Sequence, residues 1–183
     1  DDIQSRQSTD DAISLASDSS VTLKHSASAK LATTSTGVSV TGICAATTFS
    51  GSVDLSGLLK EGVNITAGKL SDNTDIDLEN GMVHLFTTQE TTTSTPNIRF
   101  NSSTSLDSSM SVGEAISVTI ITTAAAAGYS AQLTIDGAAV TENWVGGSAP
   151  SDGGSSGVDI YAYTIIKTAS ATFTVIGNQS KTS

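Results

Sequence analysis

Between Val21 and Gly42 the chain reads VTLKHSASAKLATTSTGVSVTG. Val21 and Leu23 alternate with Thr22 and Lys24, and Val38 and Val40 alternate with Ser39 and Thr41. Successive side chains of an extended strand point to opposite faces, so this pattern makes one apolar and one polar face. An apolar strand face must be laid against something, and that requirement narrows the folds open to the chain. The polar half of the pattern is nearly all Ser and Thr, which together make close to a third of the sequence. Disordered chains are typically charged and Pro-rich, with few β-branched residues. Here charged residues are only 14 % and Pro only 2 residues, while Val, Ile and Thr recur at alternating positions. Such residues favour strands, so the composition is that of an all-β protein with a hydroxyl-rich surface.

Glycine punctuates the pattern. GVSVTG at 37–42 is echoed by GVNITAG at 62–68 and more loosely by GSVDLSG at 51–57. Short units of this kind, repeated, build a rod rather than a globule, and they predict a slender β-repeat shaft over residues 21–69. Residues 1–20 are polar, with Ile3, Ile13 and Leu15 as sparse apolar positions. A helix starting at the cap Thr9 is too weakly patterned to stand, so this stretch reads as a linker.

The rest, 70–183, reads as a C-terminal antiparallel β-sandwich of jelly-roll-like kind. Its strands are GMVHLFTT (81–88), PNIRF (96–100) and AISVTIITT (115–123). Asp136-Gly137 supplies the left-handed turn of a hairpin that ends at Trp144. VDIYAYTIIK and ATFTVIG form a second antiparallel pair turning near Thr168 to Ser170. Between them, Gly146 to Gly157 reads as a flexible exposed loop.

The formal net charge is −10, from 18 acidic and 8 basic residues. Without a basic stripe there is nothing to neutralise a phosphate backbone, which argues against nucleic acid. An anionic membrane surface would repel the chain, and no apolar run approaches the roughly 18 residues of a spanning helix. The start DDIQSRQS has no signal-peptide character. With no Met at position 1, the expectation is a processed chain or a piece of a longer one. The single cysteine, Cys44, lies in the apolar stretch VTGICAATTF and is expected to be a small buried side chain.

Candidate chemistry weakens on inspection. Residues 153–157 match G-x-S-x-G around Ser155, but a nucleophile elbow needs a strand before it, a helix after it and a histidine downstream. Both histidines, His25 and His84, lie upstream and in different segments. Asp72, Asp75, Asp77 and Glu79 gather in SDNTDIDLENG, yet the EF-hand order fails at its sixth and twelfth positions, here Asp77 and Val83. A solvated acidic turn is the plainer reading. No catalytic, cofactor-binding or metal-ligating residue is assigned, and the chain reads as a non-enzyme. Aromatics cluster late, at Tyr129, Trp144, Tyr161 and Tyr163. Tyr161 and Tyr163 share one strand face, and core packing is the plainer reading of the whole cluster because Trp and Tyr are usually mostly buried. The rival reading makes Tyr129, Asn143, Trp144, Asp152 and Asp159 a candidate contact set for a glycan or protein.

The pattern Val21-x-Leu23, Lys30-Leu31, Thr33-Thr34, Gly37-Val38-x-Val40-x-Gly42 resembles repeats of fibre-like structural proteins of tailed bacteriophages, especially marine cyanophages. Gly113 to Pro150 resembles carboxy-terminal modules of the same class, and together the two cover most of 21–183. The resemblance implies a virion protein: a homotrimeric fibre or appendage that contacts other virion proteins and serves host attachment. Val21, Leu23, Val38, Val40, Val63 and Ile65 would then face the trimer axis. The rival expectations are a capsid decoration or tail connector without receptor binding, and a polysaccharide-degrading tailspike. The latter needs carboxylates converging in a cleft, which the scattered acids here disfavour.

Overall fold

A computed structural model describes residues 2–4, 11–44, 54 and 56–182. They form two compact units, Asp1–Gly57 and Leu58–Ser183. The all-β expectation holds for both.

The first unit is a five-stranded antiparallel meander: β1 (Asp2–Gln4), β2 (Asp11–Leu15), β3 (Val21–His25), β4 (Ser28–Thr34) and β5 (Gly37–Val40), paired in chain order. Register sorts its side chains by polarity. Ile13, Leu23, Leu31 and Val40 lie opposite one another across β2 to β5. The neighbouring row is Ser14, Thr22, Ala32 and Ser39. Directly opposed residues share a face, so one face is aliphatic and the other small and hydroxylated. Among the described residues no second layer covers either face within this unit: none of residues 12–44 is buried.

Three expectations change here. The stretch read as a linker, 1–20, supplies two strands, because Ile13 and Leu15 find partners in Leu23 and Val21. The two-residue alternation Ile13-x-Leu15 is too short to register alone. Cys44 is exposed rather than buried, as is its neighbour Ile43 at 94 %. They follow β5 at the edge of a single layer, where there is no interior to enter. The Gly-punctuated echoes also do not occupy equivalent places. GVSVTG is the last strand of this sheet, GVNITAG begins the second unit, and most of GSVDLSG lies outside the described residues.

The second unit packs a six-stranded sheet against a four-stranded one. Six strands wind alternately between the two: β6 (Val63–Thr66), β7 (Asp75–Asp77), β8 (Val83–Phe86), β9 (Asn97–Arg99), β10 (Ala115–Thr123) and β11 (Thr134–Ile135). β6, β8 and β10 run parallel in one sheet, and β7, β9 and β11 run parallel in the other. The result is a three-turn stack. Ile76, Ile98 and Ile135 superpose as one fully buried column. β12 (Ala138–Ala139) closes the smaller sheet through the expected Asp136-Gly137 turn, at φ 51° and 78°. The long hairpin β14 (Val158–Ala169) and β15 (Thr172–Lys181) closes the larger one antiparallel to β10, with β13 (Glu142–Trp144) parallel to β15 at its far edge.

The sheets are thus mixed, not antiparallel throughout as expected of a jelly roll. The cause is the winding: a chain that returns to the same sheet after visiting the other lays its strands down in one direction. The boundary also differs from the expected 69/70. β6 pairs with β8, so Val63 and Ile65 belong to the second unit and not to a shaft. Between the sheets sits one core, including Phe86, Ile120, Tyr161, Tyr163, Ile165 and Leu133.

Candidate contact and assembly surfaces

The larger sheet alternates cleanly. Along β14, Asp159, Tyr161, Tyr163, Ile165 and Lys167 are buried, while Ile160, Ala162, Thr164 and Ile166 are not. Two of the buried polar residues, His84 and Glu90, are held by hydrogen bonds from elements far along the chain. His84 shares its ring between two partners, Gly81 O at 3.0 Å from Nε2 and Asn64 Nδ2 at 3.2 Å from Nδ1. Burial lowers its pKa, against the opposing pull of the Gly81 carbonyl and the charge of Asp77. The geometry fits a neutral ring that donates from Nε2 and accepts at Nδ1, which ties edge strand β6 to β8. A histidine engaged on both sides is not a free base. Ser155 is exposed and is followed by strand β14, not by the helix an elbow requires.

Glu90 is 1 % exposed and still holds its carboxylate. Burial works to raise its pKa, but the amides of Ser71, Thr92 and Thr91 and the Ser71 hydroxyl outweigh it and hold the carboxyl low. Oε2 accepts from Ser71 N at 2.7 Å. Oε1 accepts from Ser71 Oγ, Thr91 N, Thr92 N and Thr92 Oγ at 2.9–3.2 Å. The chain after β6 and the loop after β8 are thereby fastened together. Gly128 lies so close that a Cβ there would clash with the Glu90 carbonyl.

Of the five candidate contact residues, Asn143 and Asp152 are exposed, Tyr129 and Trp144 half-buried, and Asp159 is wholly buried. Asp159 is a correction. Its carboxylate accepts from Gly154 N (2.9 Å) and Gln179 Nε2 (3.1 Å), and it serves the interior. Gln179 also reaches Asp152 O and the Tyr161 hydroxyl, which in turn accepts from Ser130 N. Burial pushes the Tyr161 phenol up to about 12. The loop 146–157, expected to be exposed throughout, is pinned by these bonds, and Gly153 and Gly154 are buried. Asp152 pairs with Lys181 at 2.7 Å. Trp144 lies over Gly177, where a Cβ would meet its ring at 3.1 Å, and packs edge-on to Tyr163 with ring centroids 6.0 Å apart. It is therefore in part a core residue. Asn143 donates to Val175 O.

The acidic turn is also committed. Arg99 Nη1 meets Asp75 at 2.9 Å, its Nε meets Asp77 at 2.5 Å, and Asn97 donates to Asp75. These residues put charge on the outer face of the smaller sheet. Beside them lies a polar surface cavity of about 290 Å³ lined by Asn97, Arg99, residues 101–105, Asp136 and Gly137.

The candidate axis residues divide between the units. Val21, Leu23, Val38 and Val40 share the aliphatic face of the first unit's sheet with Leu31, and Val38 is 62 % exposed. Val63 and Ile65 point outward from β6, at 46 % and 65 % exposure, while Asn64 and Thr66 point inward. Sequence reasoning missed Glu90, Gln179 and Asn64, because their partners come from loops far along the chain. Comparison with protein-family models, curated proteins and solved structures finds no match to this chain.

Proposed function

We propose that this chain is a non-enzymatic structural protein of a bacteriophage particle: a homotrimeric, fibre-like appendage that serves host attachment. The observation that carries the reading is the uncovered aliphatic face of the first unit. A single-layer sheet without a buried residue lacks the core that holds such a small element together. Its stability must come from another surface, and copies of the same face satisfy the need without new chemistry. Three sheets meeting about an axis would bury Leu23, Leu31 and Val40 and leave the Ser14, Thr22 and Ser39 rows hydrated. Two sheets face to face would bury the same residues. The threefold choice follows the resemblance to fibre-like proteins. Particle location and the partnership with other virion proteins follow it too.

Attachment would fall to the rim that carries Asn143, Asp152, Tyr129 and Trp144, recognising a surface glycan or protein. The burial of Asp159 and the packing of Trp144 favour a second reading, a capsid decoration or tail connector that touches no host. Antibodies raised against the chain and imaged on intact particles test the proposal. Labelling at fibre ends with blocked adsorption is the expected result. Labelling of the capsid or connector with adsorption unchanged supports the second reading, and absence of the chain from purified particles removes both.

A further inference from the structure

We infer that the outer face of the six-stranded sheet is a second interface between copies of this chain, formed among the same three copies that the first unit's face joins. The inference deepens the reading of the chain as self-assembling, and it rests on the second unit alone. Register aligns Ile65, Leu85, Ile121 and Ile160 as one aliphatic row across β6, β8, β10 and β14. The adjacent row is Val63, Val83, Thr119 and Ala162. None of these eight is buried. The remaining outward positions of β10, β13, β14 and β15 are Ala, Ser, Thr, Asn, Val and Ile, so the face carries no charged side chain.

That absence is informative in a chain with 26 acidic and basic residues. The opposite outer face, on the smaller sheet, carries Asp75, Asp77 and Arg99. Depletion of charge with retention of aliphatic side chains marks the centre of protein interfaces. Net charge supplies the choice of occupant. Copies at −10 each repel one another, and a neutral face lets them meet without burying like charges. A strongly charged partner would find nothing to pair with there. The size is right as well: at about 3.4 Å per residue and about 4.8 Å between strands, the six strands span roughly 700 Å². A standard-size interface takes about 800 Å² from each partner.

The test uses the full chain. Ala162 is exposed, so Ala162→Lys leaves the fold alone yet puts an ammonium into the interface, where charge is costly. We expect the concentration for half-assembly to rise by more than about tenfold, with the circular dichroism spectrum unchanged. Val40→Asp, run beside it, probes the first unit's face. Assembly weakened by Ala162→Lys and by Val40→Asp alike is the expected result; loss on Ala162→Lys alone upholds this inference and overturns the first-unit reading, and loss on Val40→Asp alone overturns this inference. A wild-type chain that stays monomeric overturns both. A second measurement does not depend on the lysine variant folding: in a Cys44→Ser background, the thiol of Ala162→Cys should react with maleimide at least about tenfold slower in the assembled chain than on dilution. Equal rates would show the face open in the assembly and refute the inference.

Discussion

Replacing Glu90 by glutamine changes one atom and should cost the second unit dearly. The carboxylate has donors on both oxygens, four at Oε1 and Ser71 N at Oε2. An amide that keeps its oxygen at the four-donor side turns its NH₂ toward Ser71 N–H, donor against donor. Flipping the amide makes two conflicts out of one, with the Thr91 and Thr92 N–H groups, since the Ser71 and Thr92 hydroxyls can turn to accept. The cheaper arrangement loses a charge-assisted hydrogen bond, worth about 1.5–3 kcal/mol, and leaves a buried N–H unpaired at about 1–3 kcal/mol. A total near 4 kcal/mol, at about 2–4 °C per kcal/mol, lowers Tm by roughly 8–16 °C. Melting at one fixed chain concentration measures it, since assembly makes Tm concentration-dependent. Acid supplies an independent check. The folded pKa of Glu90 lies below its ordinary value of 4.5, so its contribution is present above that pH and is lost as pH falls through the folded value. Glu90→Gln should lack that part of the acid slope. A Gln variant within about 1 kcal/mol of wild type, with the same slope, would refute the role given to this carboxylate.

Three further outcomes follow from the same structure. Val40→Asp should abolish assembly, because copies of the carboxylate would meet in an aliphatic interior; sedimentation that matches wild type would contradict this. Trp144→Ala should lower stability by about 3 kcal/mol in urea unfolding, since the ring fills the space over Gly177 and beside Tyr163; a loss of adsorption with stability unchanged would instead make it a surface platform. His84, whose folded pKa is depressed by burial, contributes fully above its ordinary value of 6.5. Its share is lost as pH falls from there through the folded value, because the unfolded chain takes up the proton first. His84→Gln should flatten the pH dependence of stability just below 6.5, a window separate from that of Glu90, and an unchanged profile would count against the neutral ring.

Much of the strand content was legible. The span 115–123 is β10 to the residue, the Asp136-Gly137 turn forms as its chemistry requires, and 158–167 with 171–177 becomes the long hairpin. Those signals are local: alternation, turn residues and short separations. The parallel stack was not legible, because Val63 pairs with Val83 and Val83 with Thr119 across intervening strands of the other sheet. No local pattern encodes direction or partner at such distances. Alternation in VNIT correctly gave two faces but not which one turns inward. Asn64 and Thr66 face the core side and Val63 and Ile65 the outside, the reverse of the usual rule. Asp159 reads from the sequence as a contact residue and Glu90 goes unmarked, because their donors, Gly154, Gln179, Ser71, Thr91 and Thr92, are mostly backbone amides, which the sequence does not mark.

The first unit's bare aliphatic sheet is the centre of the account, and the mass of the chain in solution tests it most directly. Sedimentation equilibrium of the full wild-type chain at micromolar concentration should return three times its 18.5 kDa mass. A value of twice that mass would keep the buried face but refute the threefold arrangement, and a stable, folded monomer would contradict the claim that this sheet requires copies of itself.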